Sequence, residues 1–157
     1  MGRMYAMTFE NVSVTGSQDL FEIAPADDKP VLVHSIYVSQ ASDTGDAAEE
    51  MLRIKLIRGH TTGGSGGSTV TARPLQSTVG AAAGATCKVN NTTIAAAGSP
   101  VDLHAESFNI RSGWAFIPTP EARPGASQAD GTLVVRLMNI PADALTMAGT
   151  IIFEELG

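Results

Sequence analysis

The sequence predicts an all-β domain in which two sheets pack against each other as a sandwich. Three observations support this fold class. The apolar segments are short and rich in β-branched and aromatic residues, several alternate with a period of two, and Gly and Pro turn signals separate them. With 157 residues, the chain suits a single domain over residues 1–157, whose core needs no disulfide or metal.

Four candidate strands precede residue 59: Arg3–Val14, Leu20–Ile23, Val31–Gln40 and Met51–Arg58. The last one reads MLRIKLIR, in which apolar residues alternate with Arg53 and Lys55. A helix that begins near Asp46 is the alternative, because the following Ala-Ala-Glu-Glu residues favour helix. The strict alternation favours the strand.

Four more candidate strands occupy the second half: Leu103–Arg111, Trp114–Ile117, Leu133–Ile140 and Thr146–Glu154. Pro118, Pro120, Pro124 and Gly125 break the chain between the second and third of these. We therefore expect about eight strands and little helix.

A different composition separates the two halves. Residues 59–99 number 41, of which 28 are Gly, Ala, Ser or Thr, and none is acidic. Short strands near residues 69–71 and 87–89 are possible, but such a stretch buries little apolar surface by itself. We predict an extended arm that becomes ordered against a neighbouring molecule, with a tolerated surface insert as the alternative. Replacing residues 63–97 with a short linker is then expected to leave the sandwich folded.

Composition argues against nucleic acid and membrane as partners. The net charge is −6, and the basic residues are scattered, whereas nucleic-acid affinity depends on clustered Lys and Arg. No apolar run approaches the roughly 20 residues of a membrane-spanning helix. The first residues also lack the apolar core of a secretory signal, so we expect synthesis in the cytoplasm.

No enzyme motif has its required context. Residues 63–67 match the Gly-x-Ser-x-Gly nucleophile pattern, but they lie in a Gly- and Ser-rich stretch without a following amphipathic helix. His34, His60 and His104 lack the close spacing and the following Glu of a cupin-type metal site. We predict a protein that is not an enzyme and has no metal or other cofactor.

Two further features have ordinary structural interpretations. Asp43, Asp46, Glu49 and Glu50 are spaced differently from the ligands of an EF-hand loop, which favours a solvated loop. Cys87 has no Cys or His nearby in sequence, so redox or catalytic use is not indicated.

One turn predicts a protein interface. Arg111 and Trp114 flank Ser-Gly, and Arg and Trp are enriched at interface hot spots. The alternative is that the chain's single tryptophan lies in the core.

Several segments together resemble virion proteins of tailed bacteriophages, and within that group the jelly-roll decoration (cement) proteins. The segments are MYAMTFENVSV, QDLFEIAPADDKPVLVHSIYVSQ, MLRIKLIRGHTTGGSGGS, NNTTIAAAG, FNIRSGWAFIPTPEARP and LVVRLMNIPADALTMAGTIIFEELG. The likeness covers nearly the whole chain and lies in the style and order of the segments. It includes no catalytic motif.

The resemblance implies a jelly-roll-like sandwich that sits on the capsid surface of the virion. Such a protein would form a homotrimer and stabilise contacts between major capsid subunits. Arg73 and Lys88 in the acid-free arm, together with Arg111 and Trp114, are the expected interface residues. The alternative function is a tail-associated module that binds carbohydrate or a receptor.

Overall fold

The computed structural model describes residues 2–41 and 49–157. Its strands are β1 (Arg3–Val14), β2 (Gln18–Ala24), β3 (Val31–Gln40), β4 (Met51–His60), β5 (Ser68–Val70), β6 (Arg73–Pro74), β7 (Thr86–Asn91), β8 (Val101–Asn109), β9 (Trp114–Phe116), β10 (Gly125–Ala126), β11 (Thr132–Leu137) and β12 (Leu145–Glu155). Three 3-10 turns of three residues each, Ser77–Val79, Pro120–Ala122 and Gln128–Asp130, complete the elements. No helix in this part of the chain is long and apolar enough to cross a membrane.

The strands form two antiparallel sheets with jelly-roll connectivity. Sheet A contains β1, β12, β3 and β9 as successive neighbours, with β6 and β10 at its margins. Sheet B contains β2, β11, β4 and β8 in that order, with β7 and β5 added beside β2. These two groups of four are the eight strands of a jelly roll, so the predicted fold class is confirmed.

Alternating side chains build the core between the sheets. In β12, every second residue from Leu145 to Glu155 is buried, and Met147, Ile151 and Phe153 are fully enclosed. Each large apolar side chain buried in this way stabilises the fold by about 1.5–3 kcal/mol. The period-two pattern in the sequence therefore specifies which face of each long strand points inward.

The predicted strand positions agree closely with the structure. The bounds of β1 and β3 match to the residue, and the other long strands shift by one to three residues. Met51 begins a strand rather than continuing a helix. The proposed helix start at Asp46 lies outside the described residues.

The expectation that residues 59–99 form an arm that adds little to the core of their own chain is wrong, although the short strands expected near residues 69–71 and 87–89 are present as β5 and β7. Strand β7 pairs with β2 along its length, β5 pairs with β7, and β6 pairs with β1. Ala72, Ala85, Cys87 and Val89 belong to the central hydrophobic cluster. Small side chains in this segment permit the backbone to lie close to the sheets, which the composition alone did not reveal.

Candidate docking edge

Residues 59–99 cover part of the outer face of sheet B, and one anchor of this segment is Asp19 on β2. Its carboxylate accepts hydrogen bonds from Arg136 Nε at 2.5 Å and Arg136 Nη2 at 3.2 Å. It also accepts one from the backbone N–H of Ala95 at 2.7 Å, while Arg136 donates to the Ala95 carbonyl at 3.0 Å. Ala95 packs on Ile57 and Val134 in a small apolar cluster. A buried ion pair thus holds this loop on the sheet.

Glu22, also on β2, anchors a second part of the same segment. Its side chain is buried and accepts hydrogen bonds from Gly64 N at 2.7 Å and Asn91 Nδ2 at 2.9 Å. Lys88 Nζ lies 3.7 Å from the Glu22 carboxylate and donates to the Gly64 carbonyl at 2.8 Å. Lys88, predicted as an interface residue, is therefore engaged inside its own chain.

Glu155 at the end of β12 supplies the third anchor. It accepts hydrogen bonds from the backbone N–H groups of Gly84 and Ala85, and Lys29 lies 3.6 Å away. Burial, followed by the charge of Glu155, raises the pKa of Cys87 to about 12, so this thiol stays protonated. Carboxylates of the sandwich thus bind backbone N–H groups of the acid-free segment at three places.

Strand β8 differs from these buried contacts because one of its edges has no partner strand within the described chain. The other marginal strands, β5, β6, β9 and β10, have only two or three residues each. Strand β1 pairs with β6 only at Tyr5 and Ala6, and its ladder with β12 is interrupted by a bulge between Phe9 and Val12. Strand β8 has nine residues, pairs only with β4 within the described chain, and has an irregularity at Leu103. From His104 to Asn109 it presents a regular, unpaired backbone edge, the type of edge that accepts another strand.

An aromatic rim supports this edge. The rim consists of His104 and Phe108 on β8 with Trp114 and Phe116 on β9. The rings of His104 and Phe116 have centroids 4.5 Å apart, and Trp114 and Phe116 are stacked at 6.1 Å. The rim closes the side of the sandwich where β8 of sheet B faces β9 of sheet A.

Glu106 contacts the ring nitrogens of two side chains in the rim, Trp114 and His104. One of its carboxylate oxygens accepts a hydrogen bond from Trp114 Nε1 at 2.8 Å and lies 3.0 Å from His104 Nε2. The hydrogen bond from Trp114, and then that from His104, holds the pKa of Glu106 below its ordinary value. A charged acceptor therefore orients both rings at the edge.

The four predicted interface residues occupy different environments. Trp114 is 6% exposed, so the core interpretation applies to it, although it forms part of the rim. Arg111 lies in the turn between β8 and β9, half exposed and 3.8 Å from Glu49. Arg73 is exposed on β6, where its backbone pairs with Ala6. The structure brings only Arg111 and Trp114 into the same region.

Sequence reasoning missed His104, Glu106 and Phe116 as partners of Trp114. The available signal was their spacing, since residues two apart lie on one face of a strand. Which strand faces β9 depends on the jelly-roll connectivity, and no local pattern encodes that.

The motifs set aside in the sequence have structural partners. Ser65 pairs with Thr93 in an isolated bridge within the segment. His34 lies 2.8 Å from Glu154, while His60 contacts Arg136 and His104 contacts Glu106. Within residues 2–41 and 49–157, no group of three or more His, Cys, Asp or Glu is arranged to hold a metal. Asp43 and Asp46 lie outside the described residues.

A second surface feature lies on the outer face of sheet A. A shallow groove of about 560 Å³ crosses β1, β12 and β3, and Thr8, Thr150 and Tyr37 lie side by side in the strand register. Glu10 and Ser39 also line it, and Tyr37 is 41% exposed. The groove combines an aromatic ring, hydroxyl groups and a carboxylate.

Comparisons with protein-family models, curated proteins and solved structures returned no match to this chain.

Proposed function

We propose that the chain is a structural virion protein, which binds the outer surface of a phage head and stabilises contacts between major capsid subunits. The observation that carries this proposal is the β8 edge with its aromatic rim. Within residues 2–41 and 49–157 it is a long, unpaired strand edge, whereas the other marginal strands are short or, in the case of β1, bulged. Natural sheets usually protect such edges unless another chain covers them.

The rest of the molecule is consistent with a binding role. The resemblance of the sequence to jelly-roll decoration proteins supports the capsid surface as the location, and the jelly roll is a fold used in viral capsids. Trimer formation would place three edges on one symmetric particle and multiply a weak contact by avidity. The expected partners are thus the major capsid protein and two further copies of the chain.

The partner segment is expected to be an extended strand of a capsid subunit. The backbone of β8 offers N–H and C=O groups in register, while Ala105 and Ser107 on the edge strand are small and exposed. Ile117, which follows β9, is 66% exposed and adds apolar surface beside the rim.

Co-sedimentation with phage heads that lack the protein tests this assignment. The variant Ile117→Asp places a charge beside the rim, whereas Ile140→Asp alters an equally exposed isoleucine, 70% exposed, in the loop between β11 and β12. We expect the first variant to lose at least about tenfold in head affinity, roughly 1.4 kcal/mol. The second should bind as the unaltered chain does.

Two results would count against the proposal. Absence of binding to heads by the unaltered chain would remove the decoration role. Equal binding by both variants would place the contact elsewhere than the β8 edge. Sedimentation equilibrium at micromolar concentration separately tests the trimer, and a monomer alone would contradict it.

The groove on sheet A favours a second candidate function, which is carbohydrate or receptor binding on a phage tail. A tyrosine ring that is exposed among hydroxyl groups suits a sugar ring, which offers both an apolar face and hydrogen-bonding groups. A glycan array comparing the chain with Tyr37→Ala tests this function. Glycan binding that survives the substitution would exclude the groove.

A further inference from the structure

A cleft of about 520 Å³ opens on the outer face of sheet B, beside the start of β8. Four polar side chains line it: His60 and Lys55 from β4, Arg136 from β11 and Asp102 from β8. It is separate from the aromatic rim, and the inference below does not depend on the decoration role.

Arg136 brings unused donors to this cleft. Its side chain is only 9% exposed, and Nε and Nη2 are occupied by Asp19 and the Ala95 carbonyl. A guanidinium has five N–H donors, two of them on Nη1. The hydrogen bonds that Arg136 makes to the described residues involve Nε and Nη2, which leaves Nη1 for the cleft. A nearly buried cation therefore retains donors for an external acceptor.

His60 adds a second donor. Its Nε2 lies 3.4 Å from Arg136 Nη2, and a guanidinium nitrogen cannot accept a hydrogen bond. Both N–H groups of Nη2 already donate to Asp19 and the Ala95 carbonyl, so Nε2 shares one of these donors; in the tautomer that does so, the neutral ring carries its proton on Nδ1. His60 is 5% exposed, and its Nδ1 has no partner among the described residues. A buried polar atom without a partner destabilises the fold, and a hydrogen bond to a ligand would offset this cost.

Lys55 and Asp102 form the outer wall of the cleft. Lys55 Nζ lies 2.6 Å from Asp102 Oδ2, and the side chains are 32% and 51% exposed. The ammonium has three donors, so it can hold a second carboxylate. Asp102 competes for the same ammonium and repels a bound anion.

Apolar side chains complete the lining. Ile57, Val101 and Met138 suit a ligand with a short alkyl part, and they disfavour strongly hydrated phosphate. We infer that this cleft binds a carboxylate attached to a short aliphatic chain, held by Arg136, His60 and Lys55. Such a group occurs in free small acids and in the glutamate side chain of a protein.

NMR titration tests the inference, with signals of Arg136 and His60 as reporters. Sodium butyrate is the free-acid probe, the capped peptide acetyl-Gly-Glu-Gly-amide represents a protein side chain, and sodium phosphate is the contrast. We expect saturable shifts of both residues with butyrate or the peptide at millimolar concentration, and weaker effects with phosphate. The tighter of the first two probes identifies the source of the carboxylate.

Two substitutions act in opposite directions. Lys55→Gln should weaken carboxylate binding by up to about fivefold, and Asp102→Asn should strengthen it by a similar factor, because each changes one exposed charge. Lys29→Gln is the matched control, since Lys29 is an exposed lysine paired with Glu155. It should have no effect on binding.

Three results would overturn the inference. One is an absence of NMR chemical-shift changes at Arg136 and His60 with butyrate and with the peptide at concentrations up to about 100 mM. Such a result would mean a dissociation constant too weak to assign a site. Another is weaker binding by Asp102→Asn, since loss of a competing charge must favour an anion. The third is phosphate binding as tight as butyrate, which would indicate general attraction of anions.

Discussion

Residues 59–99 and strand β12 are held in the same core by different interactions. Strand β12 buries every second side chain, and Met147, Ile151 and Phe153 provide its stabilisation. Residues 59–99 bury few large side chains, and their backbone N–H groups instead bind the carboxylates of Asp19, Glu22 and Glu155. A segment can thus belong to a core without an apolar pattern, provided that buried acceptors satisfy its backbone.

The largest effect on stability is expected when most of residues 59–99 is removed. Replacing residues 63–97 with a short Gly-Ser linker deletes β5, β6 and β7 and leaves Asp19, Glu22 and Glu155 without their backbone partners. We now expect loss of cooperative folding, because several buried charges become unsatisfied at once. Circular dichroism with urea denaturation measures this. A variant that keeps the full unfolding transition would restore the view of the segment as a removable arm.

Single anchors should have smaller effects. Asp19→Asn leaves Arg136 as a buried cation without its counter-ion and should lower the free energy of unfolding by about 3–5 kcal/mol. Asp102→Asn breaks the exposed pair with Lys55 and should cost about 0–1 kcal/mol. Urea denaturation of both variants provides the comparison. Equal losses of unfolding free energy in the two variants would mean that burial of the Asp19–Arg136 pair adds nothing to its contribution.

A third test concerns how closely the loop before β5 packs on β7, both of which belong to the segment. A Cβ atom at Gly67 would lie 2.1 Å from the Val89 carbonyl oxygen, whereas one at Gly16 would meet nothing within 4 Å. Gly67→Ala should therefore destabilise the fold by about 1–3 kcal/mol through overpacking, and Gly16→Ala should not. Thermal unfolding measures both. A neutral Gly67→Ala would show that the contact between Gly67 and β7, two parts of the same segment, relaxes easily.

The smallest effect is expected at the rim, where the polar contacts are exposed. The hydrogen bond from Trp114 holds the pKa of Glu106 below 4.5, so folding favours the charged carboxylate. Its contribution to stability is present above pH 4.5 and is lost as the pH falls through the folded-state pKa. The fluorescence of Trp114, the single tryptophan, should titrate below pH 4.5.

The variant Glu106→Gln is the control for this titration. It keeps the shape of the side chain but removes its ionisation, so the fluorescence should not change in that range. An unaltered titration in this variant would assign the signal to another group.

The strands were predictable because their information is local. The alternation in Met51–His60 and Leu145–Glu155 identifies strand and inward face without reference to the rest of the chain. The place of residues 59–99 in the core is not predictable from local pattern, because the partners of this segment are distant in sequence. Lys88 pairs with Glu22, and Ala95 with Asp19, across 66 and 76 residues respectively.

The candidate docking edge was only partly predictable. The turn with Arg111 and Trp114 was recognised, but the exposure of each depended on packing. The position of β8 as an open edge follows from sheet order, which short-range patterns do not encode.

The sequence alone determined the all-β class, the positions of the long strands to within one to three residues and the faces that they bury, since side-chain periodicity sets these locally. Tertiary structure decided which strands became neighbours, which acidic residues were buried and which edge stayed open. The physical reason is that a carboxylate such as Asp19 is favourable inside only when an N–H or a cation meets it there. That meeting depends on residues far apart in the chain.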